Sequence, residues 1–208
     1  KVNPEKKKRF MAHTSDVILE SAFVNGVNKE LFLDAKDFLM TSMEVLTDDQ
    51  QTMSLLEILN SHVDHLYAHS LGVSMYSIMI AKQMGWSSSA NIFKLSFGGL
   101  MHDIGKKEID PKILKKPRST LSYTERQILE THPLRGKEFL ESLKSAPSEV
   151  VAIAYEHHEN MLEHGYPRQL PRTKITLMAK IVHVADEFCL YALKGPNNPG
   201  VSAKKAIH

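Results

Sequence analysis

An all-helical domain is predicted by three features of this sequence. Apolar residues recur three and four positions apart over most of its length, helix start and stop signals fall at regular intervals, and no stretch alternates as a strand would. With 208 residues and 42% apolar content, the chain is long enough to bury a substantial core. The spacing divides it into an N-terminal helical accessory segment, 1–53, and a main domain, 54–208.

In the first segment, the run Lys6-Lys7-Lys8-Arg9 reads as a solvated tail, since no aromatic residues interleave it. From Asp16 to Leu46 the pattern gives two or three short helices, broken near Asn25-Gly26. In the main domain, one helix is expected from Ser54 to Tyr67 and a second from there to a stop at Gly85. Ser87-Ser88-Ser89 then offers N-caps for a very apolar helix that reaches Met101 and ends by Gly105. Pro111 and Pro117 break the basic stretch that follows. Ser122 with Glu125 forms a capping box for a helix to about Thr131, and Pro133 suits the first turn of the next. Pro147-Ser148 opens a helix through Tyr155 to His158. A turn-rich stretch, Glu163 to Pro171, leads to a last long helix from Lys174 to Leu193. The ten methionines read as core.

Composition excludes several function classes. A net charge of +2, from 26 basic and 24 acidic side chains, gives no global field toward long nucleic acid or an anionic membrane. No apolar run approaches the roughly 20 residues needed to span a bilayer. The lone Cys189 cannot form an internal disulfide, which favours a reducing, cytoplasmic setting. There is no Gly-x-Ser-x-Gly elbow and no Walker-type phosphate loop.

The informative feature is the placing of histidines among 11 in all. They fall with carboxylates in the order His69, His102-Asp103 with Lys106, His132-Pro133, His157-His158-Glu159 and Asp186. Asp186 shares a helical face with Val182, Met178 and Ile175, and His102-Asp103 follow Phe97, Leu100 and Met101. A carboxylate on an apolar face carries a desolvation penalty of several kcal/mol unless it is paired or bound to metal. Any one of these histidines alone reads as ordinary hydrogen-bonded structure. The set, offering imidazole nitrogen and carboxylate oxygen, suits iron, manganese or zinc.

Those residues, with His69-Ser70, His102-Asp103-Ile104-Gly105-Lys106, Gly136, Gly165-Tyr166-Pro167 and Val184-Ala185-Asp186, resemble the HD-GYP branch of the HD-domain phosphohydrolases over Leu55 to Leu193. The resemblance implies a helical bundle around a binuclear or trinuclear site that hydrolyses cyclic di-GMP in bacterial second-messenger signalling. Two divalent metal ions, iron with manganese or zinc as alternatives, are implied. One would be held by His69, His102, Asp103 and Asp186, and a second by His132, His157 and His158, with Asp103 bridging. The nucleophile implied is a metal-bound hydroxide. Lys106 would neutralise charge on the phosphate oxygens; without the resemblance it reads as a solvated lysine. Tyr166 either packs its loop or touches substrate. His65 is a third-metal ligand in the place of a glutamate, or part of a polar cluster with His62 and Asp64. His183, three residues before Asp186, reads as a helix-surface histidine, with an approach to the site as the alternative.

The chain departs from the family pattern at three places. Leu162 and Glu163 stand where an Asp-Gly pair is usual, Cys189 replaces a second aspartate, and Lys194 to Val201 lacks the usual basic, tyrosine-containing segment. These changes spare the metal shell and fall on substrate grip. Two alternatives therefore stand beside the enzyme: a degenerate module that binds metal or nucleotide and acts through other signalling proteins, and an HD hydrolase of another phosphate ester.

Overall fold

A computed structural model describes residues 65–144, 146–195 and 199–206, together with residues 14, 17, 18, 20, 21, 33–35, 37, 38, 59 and 60. The basic run at residues 6–9, the expected break at residues 25–26, the expected helix start at residue 54 and the His65 side chain lie outside the described residues.

Eight helices are described between residues 65 and 206, joined by turns and two 3₁₀ segments, with no extended strand among the described residues. They are α1 His65–Gln83, α2 Ser89–Met101, α3 Pro111–Leu114, α4 Tyr123–Leu129, α5 His132–Ser142, α6 Ser148–Glu156, α7 Leu177–Ala192 and α8 Ala203–Ala206. The 3₁₀ segments are Ile104–Glu108 and Arg118–Thr120. The all-α prediction holds.

α2 is the middle of the bundle, with α1, α6 and α7 packed around it. Its mostly apolar sequence suits that place, and Leu95, Phe97, Leu100 and Met101 are fully buried. Each such side chain contributes roughly 1.5–3 kcal/mol of transfer free energy. Ile18, Ala35, Phe38 and Leu59 belong to the same apolar cluster.

Local signals set most helix ends. The Ser88 side chain accepts from the Asn91 N–H, and Ser122 and Glu125 close the expected capping box. Gly85 takes a left-handed φ of 82° and terminates α1. Three expectations are corrected. α1 runs unbroken through Tyr67, because no glycine or proline interrupts residues 65–71 and the face with Ala68, Leu71 and Met75 is buried throughout. α7 begins at Leu177, after Thr176 caps it through the Ala179 N–H. Met75 and Met101 are core, but Met84 and Met161 are exposed, each lying in or beside a turn where no helix face covers it. Among the described residues no helix is long and apolar enough to cross a membrane.

Candidate metal centre

The centre lies where helix ends converge beside α1 and α7. His69 comes from the second turn of α1, and His102 and Asp103 from the end of α2. His132 opens α5, His157 and His158 close α6, and Asp186 lies in α7. All seven sequence-predicted ligands come together, in two groups. One is His69, His102 and Asp186; the other is Asp103, His132, His157 and His158. Within each group the candidate ligand atoms lie within 4.8 Å of one another.

Three of the imidazoles are anchored in the same way. The Nδ1 of His102 meets the Gly99 carbonyl at 2.7 Å, that of His132 meets Leu129 at 2.7 Å, and that of His157 meets Ala154 at 3.0 Å. A carbonyl only accepts, so each Nδ1 donates, and in the neutral ring Nε2 keeps its lone pair. That tautomer is the one a metal-binding imidazole needs. His132 Nε2 and His157 Nε2 face each other at 3.2 Å, both near Asp103 Oδ1 at 3.2 and 3.7 Å. Two lone pairs that close repel unless a cation or a proton lies between them.

Asp103 spans both groups: Oδ1 faces His132 and His157, while Oδ2 lies 3.4 Å from His102 Nε2. Asp186 Oδ1 is 2.9 Å from His69 Nε2 and 3.8 Å from His102 Nε2, and its Oδ2 is 3.9 Å from His158 Nδ1. Despite this crowding, His69 Nε2, His102 Nε2, Asp103 Oδ1 and Asp186 Oδ2 are buried without a well-formed hydrogen bond. Buried polar atoms are almost always hydrogen-bonded. Four orphans in one cluster, all of ligand type, fit metal ions.

Electrostatics agree. Burial depresses His157 to about 4, lowers His132, and lowers His158 well below the usual imidazole value, so all three are neutral donors near pH 7. Burial opposes ionisation of Asp103, but Lys106 and His102 outweigh it and hold the carboxyl well below the usual range. Asp186 is held down against burial chiefly by His69. His102 is raised, because Asp103 outweighs its own burial. Lys106 Nζ pairs with Asp103 Oδ2 from the 3₁₀ turn.

The neighbouring motifs have structural causes. A Cβ on Gly105 would lie 2.1 Å from the His132 carbonyl oxygen and 2.5 Å from Gly136 N. Only glycine lets the Asp103 turn press onto the first turn of α5. A Cβ on Gly165 would lie 2.5 Å from backbone atoms of His158, Glu159 and Asn160. The buried Glu159 accepts from the Arg168 and Leu170 N–H groups at 2.7 and 2.8 Å, so it ties the Gly-Tyr-Pro loop to the end of α6. Tyr166, before a cis proline, stacks on His158 with ring centroids 4.6 Å apart.

Two contributions differ from what the sequence reading favoured. His183 is half-buried, not a surface residue, with Nδ1 2.8 Å from the His157 carbonyl oxygen. Its place three residues before Asp186 was the available signal. A cleft of about 480 Å³ opens over Asp103, Lys106, His132, His158 and Tyr166, and Lys116, Arg118 and Lys194 line its outer part. These cations lie in stretches that read only as loops.

Comparison with known proteins identifies the family. A model of the HD domain family matches residues 53–208. The chain therefore belongs to the HD domain family. Among its relatives are a cyclic di-GMP phosphodiesterase of Pseudomonas aeruginosa, 30% identical over 80% of this chain and 39% of its own length, and one of Thermotoga maritima, 32% identical over 86% and 49%. A 3'3'-cGAMP-specific phosphodiesterase of Vibrio cholerae is 30% identical over 73% of this chain and 32% of its own. The chain thus spans less than half the length of these three relatives. In fold it is similar to Bd1817, an HDG"Y"P protein from Bdellovibrio bacteriovorus, with a TM-score of 0.79 and 21% identity over 89% of this chain and 60% of that one.

Proposed function

We propose that this chain is a metal-dependent phosphodiesterase domain whose substrate is cyclic di-GMP, and that His69, His102, Asp103, Asp186, His132, His157 and His158 hold two metal ions with Asp103 shared between them. The observation that carries this reading is the paired cluster, in which one carboxylate turns an oxygen toward each half. The names of the relatives support the substrate class. Bound ions would acidify water and polarise a phosphate ester, which is the chemistry such pairs supply.

The chain's own residues supply the rest. The carbonyl-anchored imidazoles keep their donor atoms aimed inward without reorganisation. Lys106 is tethered to Asp103 in this structure; with ions on that carboxylate, its ammonium is set free for the non-bridging phosphate oxygens. Apolar walls from Leu114, Leu129 and Leu193 suit the nucleosides. Iron fits this donor set, as do manganese and zinc. The same reading includes a cytoplasmic setting and a main domain over residues 54–208.

The test is incubation of the metal-loaded chain with cyclic di-GMP and chromatography of the products. Turnover is expected, and Lys106→Met should retain the ions while losing about a hundredfold in rate, typical of one lost electrostatic contact. Metal-loaded protein that binds cyclic di-GMP without cleaving it would favour a binding module instead. Cleavage of other phosphate esters only would favour a different HD hydrolase.

A further inference from the structure

Arg118 stands apart from the metal centre and is unexplained by it. It leads the 3₁₀ turn Arg118–Thr120, directly after Pro117, and its guanidinium is exposed at the outer part of the cleft. Its contact is with the Tyr166 hydroxyl, Nη2 to Oη at 3.5 Å. Tyr166 in turn stacks on His158, so Arg118 sits one tyrosine side chain further out than the innermost residues. Of the cleft cations, Lys106 is matched by Asp103 and Lys116 by Glu125. Among the described residues, Arg118 meets no carboxylate within ion-pair distance. An unmatched guanidinium at the mouth of a cleft, held beside an aromatic ring, suits a phosphate, which its planar fork binds through two parallel hydrogen bonds.

A single phosphate at the metals needs no cation so far out. A cyclic dinucleotide has two phosphates on opposite sides of its ring. We infer that Arg118, positioned by Tyr166, grips the second phosphate of a two-phosphate substrate while the first lies at the metal centre. Lys194, two residues past the end of α7 on the same cleft, adds to that field. This gives the chain an anion grip in a loop, where the usual basic segment after the last motif is missing. It rests on the reading of the cleft as a cyclic dinucleotide site.

The test compares the metal-loaded wild type with Arg118→Ala and Arg118→Lys on cyclic di-GMP and on bis(p-nitrophenyl) phosphate, which has one phosphate. The ratio of kcat/KM for the two substrates should fall about tenfold in Arg118→Ala, the change lying in KM, since the lost contact is made equally in ground and transition states. Arg118→Lys, which keeps the charge, should recover part of the ratio. An unchanged ratio, or a change lying in kcat, overturns the inference. Equilibrium binding of cyclic di-GMP keeps the two failures apart. If the wild type binds without turnover, the phosphodiesterase reading fails, and about tenfold weaker binding by Arg118→Ala still supports the grip. Equal binding by wild type and variant, or binding by neither, overturns the grip.

Discussion

Glu163 shows how one residue connects the sequence pattern to backbone geometry. It stands where the family pattern has glycine, and its φ is +60°, the left-handed region that disfavours a side chain. Asn160 holds the turn, its Oδ1 accepting from the Leu162 and His164 N–H groups at 3.0 and 3.1 Å. The Glu163 side chain is exposed and makes no described contact with the centre. Glu163→Gly should therefore raise stability by about 0.5 kcal/mol. Roughly 1–2 kcal/mol of left-handed strain is removed, offset by about 0.5–1 of added chain entropy. Urea denaturation checks this, and a loss of stability would show that the turn is unstrained. The ligands were readable as an ordered set and not one by one, because a single histidine on an apolar face is satisfied by an ordinary hydrogen bond while seven imidazoles and carboxylates on apolar helices demand a shared partner. His183 was marked only by its place three residues before Asp186, since its acceptor, a backbone carbonyl, has no side-chain signature in the sequence.

At the scale of elements, the site depends on how closely two turns approach. The 3₁₀ segment after α2 and the first turn of α5 meet through Gly105 and Gly136, which brings Asp103 to within 3.2 Å of His132. Gly105→Ala places a methyl group against the His132 carbonyl and must push these elements apart. The expected result is destabilisation of about 2–3 kcal/mol, in the range of overpacked cores, with loss of metal from the His132 group. Thermal melting and metal content measure both; a variant unchanged in either would mean the contact can relax. Caps and prolines predicted most helix ends because those signals are local. The break expected at Tyr67 was wrong because continuity across it comes from tertiary burial of α1, which local propensity does not encode. The cleft cations Lys116 and Arg118 were missed for a related reason: loop residues become neighbours of a site only through the path of the chain.

Across the whole molecule, burial of the imidazoles ties stability to pH. His132, His157 and His158 have folded-state values below the usual 6.5, so the unfolded chain binds more protons at these positions in mildly acidic solution. Their contribution is complete above pH 6.5 and is lost as pH falls toward about 4, where His157 titrates. His102 is raised and works in the opposite direction, one group against three. Asp103 and Asp186, both lowered, give stability that is lost only at still more acid pH. Melting of the chelator-treated chain should therefore show Tm falling from pH 6.5 to 4.5, and a flat or rising Tm would contradict the neutral-imidazole assignment. The central claim is that seven residues from five helices and their ends form one two-metal centre, and anomalous diffraction at the metal edge of a metal-loaded crystal tests it most directly. Two peaks about 3.5–4 Å apart are predicted, one beside His69, His102 and Asp186, the other beside His132, His157 and His158, with an oxygen of Asp103 toward each. A single peak, or none, would contradict it.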